Sequence, residues 1–178
     1  MRFEKYKSIY ANEVKNIFTN VFTDSEGEDE GRLIGELAFE LQKTTPKDDF
    51  LGFVVLDEGK IVGCIFFTRL KFKTGINAFI LSPVAVATKC QGEGVGQQLI
   101  NFGLAHLKEI GVELVFTYGD MNFYSKVGFK QIREDIALAP LKLTYPEGWL
   151  AQSLVGEDIQ AIPGRSTCVE ALNDQRYW

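Results

Sequence analysis

The stretch Leu81-Ser82-Pro83-Val84-Ala85-Val86-Ala87-Thr88-Lys89-Cys90-Gln91-Gly92-Glu93-Gly94-Val95-Gly96-Gln97-Gln98 decides the reading of this chain. An apolar run leads into a turn with three glycines in five positions, Gly92, Gly94 and Gly96, and the turn opens the best helix pattern in the sequence. The first amides of a helix have no partner inside it and point the same way. The helix dipole adds positive character at that end, so an anion can be held there without a cationic side chain. Glycines allow left-handed angles and close approach of the backbone to a phosphate.

Outward from this stretch, the hydrophobic pattern predicts a mixed α/β (α+β) fold. Phe3 to Ile9 reads as a strand. Asn12 is placed to cap a helix whose Val14, Ile17, Phe18, Val21 and Phe22 recur at helical spacing. The acidic segment Asp24 to Gly31 reads as a loop, and a second helix is expected over Gly31 to Lys43. Phe50 to Asp57 and Lys60 to Leu70 read as strands joined at Glu58-Gly59, a hairpin signal. Ala78 to Val86 is a further strand. The helix Gly94 to Ile110 has Val95, Leu99, Phe102, Leu107 and Ile110 on its apolar face and ends at Gly111. Glu113 to Tyr118 reads as a strand, Asn122 to Val127 as a short helix ending at Gly128, and Phe129 as the start of another strand. A helix joining two apolar strands implies parallel pairing across a right-handed crossover. The three strands before it read as antiparallel neighbours. Beyond Gln131, the segments Leu138 to Leu143, Gly148 to Val155 and Thr167 to Leu172 each read as a short strand.

Other phosphate loops fit poorly. A Walker A loop ends in Gly-Lys-Ser/Thr, whereas Gly96 is followed by Gln97 and Gln98. A dinucleotide fingerprint has GxGxxG after the first strand, and here the glycines alternate mid-chain. The pattern Gln91-x-x-Gly94-x-Gly96 resembles the coenzyme A pyrophosphate loop of the GNAT acetyltransferase superfamily. The resemblance extends to Pro83-Val84-Ala85-Val86, similar to that family's fourth strand, and to Phe123-Tyr124-Ser125-Lys126-Val127-Gly128-Phe129, similar to its Tyr-x-x-x-Gly-Phe element. The run Gly119 to Tyr124 is similar to a branch of predicted acetyltransferases with mostly unassigned substrates. Residues 3 to 130 follow the family order of elements.

What the resemblance implies is specific. The fold would be a GNAT-like mixed, mostly antiparallel central sheet with a parallel splayed strand pair and helices on both faces. Residues 1–178 would form one N-acetyltransferase domain, with 1–130 the motif-bearing core and 131–178 shaping an acceptor site or a homodimer contact. The cosubstrate would be acetyl-CoA, with no metal. Its pantetheine arm would lie along Val84, Ala85 and Val86 like an added strand. Its diphosphate would rest on Gln91, Gly92, Glu93, Gly94, Val95, Gly96 and Gln97. Asn122 is a further coenzyme or substrate contact, or the start of the short helix. Tyr124 would be the general acid that protonates the leaving sulfur; as a plain residue it would be a packed aromatic beside Phe123 and Phe129.

The base is less legible. The strand Ala78 to Val86 has no carboxylate. Asp120 reads first as a helix cap, Ser82 as a plain strand residue or a water ligand, and Glu30 and Glu36 as a solvated face. That gap keeps a second class open: a non-catalytic acetyl-CoA sensor. The acceptor for the enzyme reading is a primary amine of a small molecule, amino acid or peptide.

Composition bounds the rest. The chain has 178 residues, 46% hydrophobic and 24% charged, ordinary globular values. A net charge of −5 without a basic stripe argues against nucleic acid. Cys64, Cys90 and Cys168 are far apart, with no CxxC pair and one histidine, His106, which argues against structural zinc. Cys64 reads as core; Cys90, beside Lys89, is the one with a hint of reactivity. No apolar run has the length of a membrane span, and Met1-Arg2-Phe3-Glu4-Lys5 has no signal-type apolar stretch. The expectation is a soluble cytoplasmic protein with no membrane contact.

Overall fold

The computed structural model describes residues 1–156 and 158–178. Seven strands form one hydrogen-bonded sheet: β1 (Arg2–Lys5), β2 (Phe50–Asp57), β3 (Lys60–Leu70), β4 (Ala78–Val86), β5 (Leu114–Tyr118), β6 (Lys130–Gln131) and β7 (Trp149–Ser153). Their order is β1-β2-β3-β4-β5-β7-β6. The helices are α1 (Ala11–Glu26), α2 (Glu28–Thr44), α3 (Val95–Glu109) and the short α4 (Met121–Tyr124). Strands β1 and β2, β5 and β7, and β6 and β7 pair antiparallel, while β4 and β5 pair parallel. The chain divides into two compact units, one of residues 1–67 and 83–103, the other of 68–82 and 104–178.

In the first unit, β3 has a helix on each of its faces. On one face a side chain at Gly63 would meet Leu99 of α3 at 3.3 Å. On the other, Phe66 packs against Phe18 of α1 with ring centroids 5.7 Å apart. This alternation follows from the period-2 geometry of a strand. Val14 and Phe18 of α1 and Leu37, Ala38 and Leu41 of α2 are buried, the spacing that one helical face produces. The two helices pack closely because Gly31 and Gly35 of α2 face Thr23 and Thr19 of α1.

Three expectations in this unit are corrected. Strand β1 stops at Lys5, not Ile9. Tyr6 makes one more main-chain bond to Gly52, and then Ser8–Tyr10 turns as a 3₁₀ helix, held by Tyr10 Oη donating to Glu4 at 2.6 Å. Asn12 is not a cap: α1 continues out of that turn from Tyr10, whose backbone is already helical, so no side chain has to close it. The segment Asp24 to Gly31 is helical except at one residue. Gly27, at φ +102°, breaks the chain between α1 and α2, and Glu28, Asp29 and Glu30 occupy the first turn of α2, where carboxylates meet the positive end of the dipole. Acidic composition suggested a loop, but it serves as a helix start.

In the second unit, Phe116 stacks on Trp149 at 5.1 Å and Trp149 meets Trp178 edge-on at 6.0 Å. The region beyond Gln131 contains one of the three expected strands, β7. Leu138 forms a single bridge with Arg165, Thr167 a single bridge with Lys71, and Glu170–Leu172 is a 3₁₀ turn. Side-chain bonds replace ladders there. Trp149 Nε1 donates to Ala137 O at 2.9 Å, Arg165 to Ala139 O at 2.7 Å and Ser166 Oγ to Leu138 O at 2.7 Å. Pro140 and Pro163, which lack an N–H, cannot serve a ladder in this region. Phe129 is buried just before β6 and does not open it.

In α3, Val95, Leu99 and Leu107 are buried as the pattern predicts. Ile110 lies past the helix end and is half exposed. Phe102 is partly exposed, its ring 5.9 Å from Phe3 and 5.7 Å from Phe53.

Candidate active site

Two local arrangements concentrate the chemistry, one in each unit. The first is the loop before α3. The 3₁₀ turn Thr88–Cys90 leads from β4 into it. Gln91 is exposed along its surface, but its Nε2 donates back to Val86 O at 2.9 Å, tying the loop to the end of β4. Gly92 and Gly94 lie at φ +80° and +78°, the left-handed region that side chains strain to enter. Space outside both is open: a side-chain carbon at Gly92 would meet nothing within 4 Å, and one at Gly94 only the Gln98 amide at 3.8 Å. Gln98 N–H donates to Gly94 O at 3.0 Å and closes the first turn. The amides of Val95, Gly96 and Gln97 are therefore those a helix start leaves unpaired. Val95 and Gly96 are buried, Gln97 half-buried, and Glu93 exposed.

Cys90 sits behind this loop, buried at 7% exposure. That packing replaces the reactive character suggested by its neighbour Lys89, since a reactive thiol needs access. Cys64 is fully buried, and burial pushes its thiol well above the ordinary range, as a core cysteine requires.

The second arrangement lies at the end of the β4–β5 ladder, within the second unit. That ladder runs from Ala78–Leu114 to Leu81–Thr117. Strand β4 continues to Val86, past Pro83, which has no N–H to give. Val84 is half-buried, Ala85 and Val86 buried. Thr117 occupies the last rung and is 1% exposed. Its Oγ1 donates to Leu81 O at 2.9 Å, and the same side chain hydrogen-bonds the Tyr124 hydroxyl. Burial pushes the Tyr124 pKa above the ordinary tyrosine value, while the Thr117 bond pulls the other way.

Local structure explains why Tyr124 stands there. Asp120 caps α4 by accepting from Asn122 N–H at 2.9 Å. Gly128, at φ +92°, ends the turn that follows. The Tyr124 ring packs over Gly119, where a side-chain carbon would come within 2.8 Å of it, and against Phe123 and Phe129 at 5.0 and 5.7 Å. Asn122 shares this helix but is exposed. It lines a cavity of about 500 Å³ together with Asp120 and residues of the segment before β7.

Two of the three carboxylates considered as bases are engaged elsewhere. Asp120 is the α4 cap. Glu36 pairs with Lys15 at 2.7 Å on the exposed helix face. Glu30 is half-buried, and burial, followed by the nearby Glu26, raises its pKa. Among the described residues no group of three or more His, Cys, Asp and Glu could hold a metal ion, and no helix is long and apolar enough to cross a membrane. Sequence reasoning missed Thr117, whose hydroxyl positions Tyr124. An isolated threonine in an apolar strand was the signal: a buried hydroxyl must find a partner.

Comparison with known proteins shows what the chain is similar to. A family model for the acetyltransferase (GNAT) domain matches residues 48–131, a window that contains β4, the glycine loop, α3 and Tyr124. The chain is 35% identical over 119 residues to YjhQ of Escherichia coli K12, an uncharacterized N-acetyltransferase. That match covers 64% of this chain and 65% of YjhQ, so the chain spans slightly less than two thirds of its relative. Among solved structures, the E. coli GNAT-family N-acetyltransferase YhbS, crystallised with CoA, superposes with a TM-score of 0.84 at 21% identity, covering 98% of this chain and 92% of YhbS. A GNAT-family acetyltransferase from Brucella melitensis, crystallised with acetyl-CoA, gives 0.74 at 22%, covering 96% and 97%. At these identities the structures establish a shared fold. Residues 48–131 thus match the acetyltransferase (GNAT) domain model, and the fold is the one found in GNAT-family structures.

Proposed function

We propose that this chain transfers the acetyl group of acetyl-CoA to a primary amine, with Tyr124 as general acid. The observation that carries the reading is the parting of the strands: the β4–β5 ladder ends at Leu81–Thr117, β4 runs on to Val86, and the Tyr124 hydroxyl is hydrogen-bonded to that last threonine. The coenzyme diphosphate rests on the amides that open α3, and the pantetheine arm pairs with the free edge of Val84 to Val86. Ala85, Gln91, Gly92, Glu93 and Gln97 complete the coenzyme contacts, and Asn122 adds one from α4.

The chemistry follows. A neutral amine attacks the thioester carbonyl carbon, and a main-chain N–H near Val84 to Val86 donates to the developing oxyanion. The C–S bond then breaks, the sulfur takes the Tyr124 proton, and the amine's surplus proton leaves to water. Tyr124 recovers its proton from solvent. Its raised pKa keeps it protonated at neutral pH, the state an acid needs. With Asp120 and Glu36 engaged, water is the base that the reading requires. The three free cysteines accord with work in a reducing cytoplasm.

The test is thiol release from acetyl-CoA across a panel of amines. Tyr124→Phe is expected to lower turnover about 10²-fold, the lower end of general-acid effects, while calorimetric coenzyme A affinity stays within about twofold. Coenzyme binding with no turnover on any amine, and no effect of Tyr124→Phe, would instead identify a sensor.

A further inference from the structure

We infer that the cavity at the end of β5 selects acceptors that have a second positive charge beyond the reacting amine; this rests on the N-acetyltransferase reading above. The cavity, about 500 Å³, lies within one compact unit, and its walls include Tyr118, Gly119, Asp120, Tyr145, Glu147 and Gly148. That volume admits a small aliphatic amine rather than a folded partner.

Three features define its chemistry. Its floor adjoins the proposed acid: Gly119 lines it and also supports the Tyr124 ring. Its wall is built rather than loose. Tyr118 Oη accepts from Tyr145 N–H at 2.7 Å, Gly119 N–H donates to Gly148 O at 3.0 Å, and the Tyr118 ring stacks on Trp178 at 6.0 Å. A side-chain carbon at Gly148 would press on Gly119 O and the Tyr118 ring, both at 3.2 Å, so the wall is closely packed there. Finally, the lining has carboxylates at Asp120 and Glu147 and no Lys, Arg or His. Neither carboxylate is in an ion pair among the described residues. Two tyrosine rings beside two carboxylates suit an ammonium, which gains from ring faces as well as from charge.

The reacting nitrogen must be neutral to attack, so the charge held here belongs to another group of the same molecule. A diamine with one free and one protonated nitrogen is the simplest case. Asp120 cannot turn wholly to a ligand, since one oxygen caps α4, which makes Glu147 the freer anchor.

The test compares 1,5-diaminopentane with 1-aminopentane, of equal length and differing by one charge. In the thiol-release assay kcat/KM is expected to favour the diamine on the order of tenfold, and Glu147→Gln to cut that ratio to about twofold, the scale of one exposed charge contact with an aromatic neighbour. Direct calorimetry of the diamine against the coenzyme A-loaded protein reads the same site without turnover. Binding that weakens in both Glu147→Gln and Tyr145→Ala supports a diamine site in this cavity; if no amine is then acetylated, the enzyme reading falls and the cavity's preference for a second charge stands. Equal kcat/KM for the two amines, or diamine binding indifferent to both substitutions, overturns the inference and leaves the enzyme reading standing.

Discussion

Single residues in this protein act through where their neighbours put them. Tyr124 is an ordinary phenol until Thr117 and Gly119 fix its hydroxyl and ring. Its folded pKa lies above the unfolded value of about 10. The sign follows: a proton held more tightly in the folded state stabilises it below the unfolded pKa, and that stabilisation is lost as pH rises through the folded value. Turnover should therefore keep its acid through neutral pH, and the alkaline limb of kcat should fall above pH ~10 in the native chain and flatten in Tyr124→Phe. An alkaline limb unchanged by the substitution would remove Tyr124 from the acid role. Gly94 separates strain from ligand contact. Gly94→Ala meets only an amide at 3.8 Å but must hold a left-handed backbone, so it should cost about 1 kcal/mol of stability in urea unfolding. Gly94→Asp adds charge where a diphosphate is proposed, and calorimetric coenzyme A affinity should fall more than ~10-fold beyond the alanine variant. Equal affinities for the two variants would count against the loop.

At the scale of elements, the α1–α2 pair shows how small residues set a packing distance. A side-chain carbon at Gly31 would come within 1.9 Å of Thr23 Oγ1 and 2.6 Å of Thr19 O, whereas one at Gly35 meets the Thr19 side chain at 2.0 Å and no main-chain atom closer than 3.5 Å. A side chain can rotate away and a backbone cannot. Gly31→Ala should therefore lower stability by about 2 kcal/mol, and Gly35→Ala by distinctly less. Chemical denaturation of both variants decides it; equal losses would mean that the helices move as rigid bodies. The β4–β5 pair shows the opposite device, an element that gives up contact. Pro83 cannot extend the ladder, and the pairing stops two residues before it. That consequence was legible in the sequence, because a missing N–H is a property of the residue.

For the molecule as a whole, Trp178 is part of the core of its unit. Trp178 is 4% exposed; its Nε1 donates to Leu172 O at 2.9 Å and its carbonyl accepts from Thr144 Oγ1 at 2.6 Å. It stacks on Tyr118 and meets Trp149 edge-on. Trp178→Ala should cost about 3 kcal/mol in urea unfolding. Because Tyr118 lines the cavity proposed to take the acceptor, the variant should also raise KM for amines more than for acetyl-CoA. A stable variant with native kinetics would show Trp178 to be dispensable.

What the amino-acid sequence determined by itself was whatever short-range chemistry controls. The extents of β2, β3 and β4 and their hairpin, the helix opened by the glycine loop, the parallel crossover, the Asp120 cap and the buried Cys64 all follow from period, turn residues and missing or spare hydrogen-bond groups. What only the tertiary structure decided depends on partners distant in the chain. The early end of β1 comes from Tyr10 reaching Glu4, and the start of α1 from a preceding 3₁₀ turn rather than from Asn12. The loss of two of the three late strands comes from Trp149, Arg165 and Ser166 taking carbonyls that a ladder would have used. The hold of Thr117 on Tyr124 belongs to the same class. A hydroxyl can be seen in the sequence to need a partner, but which one it finds is set by which strands lie side by side.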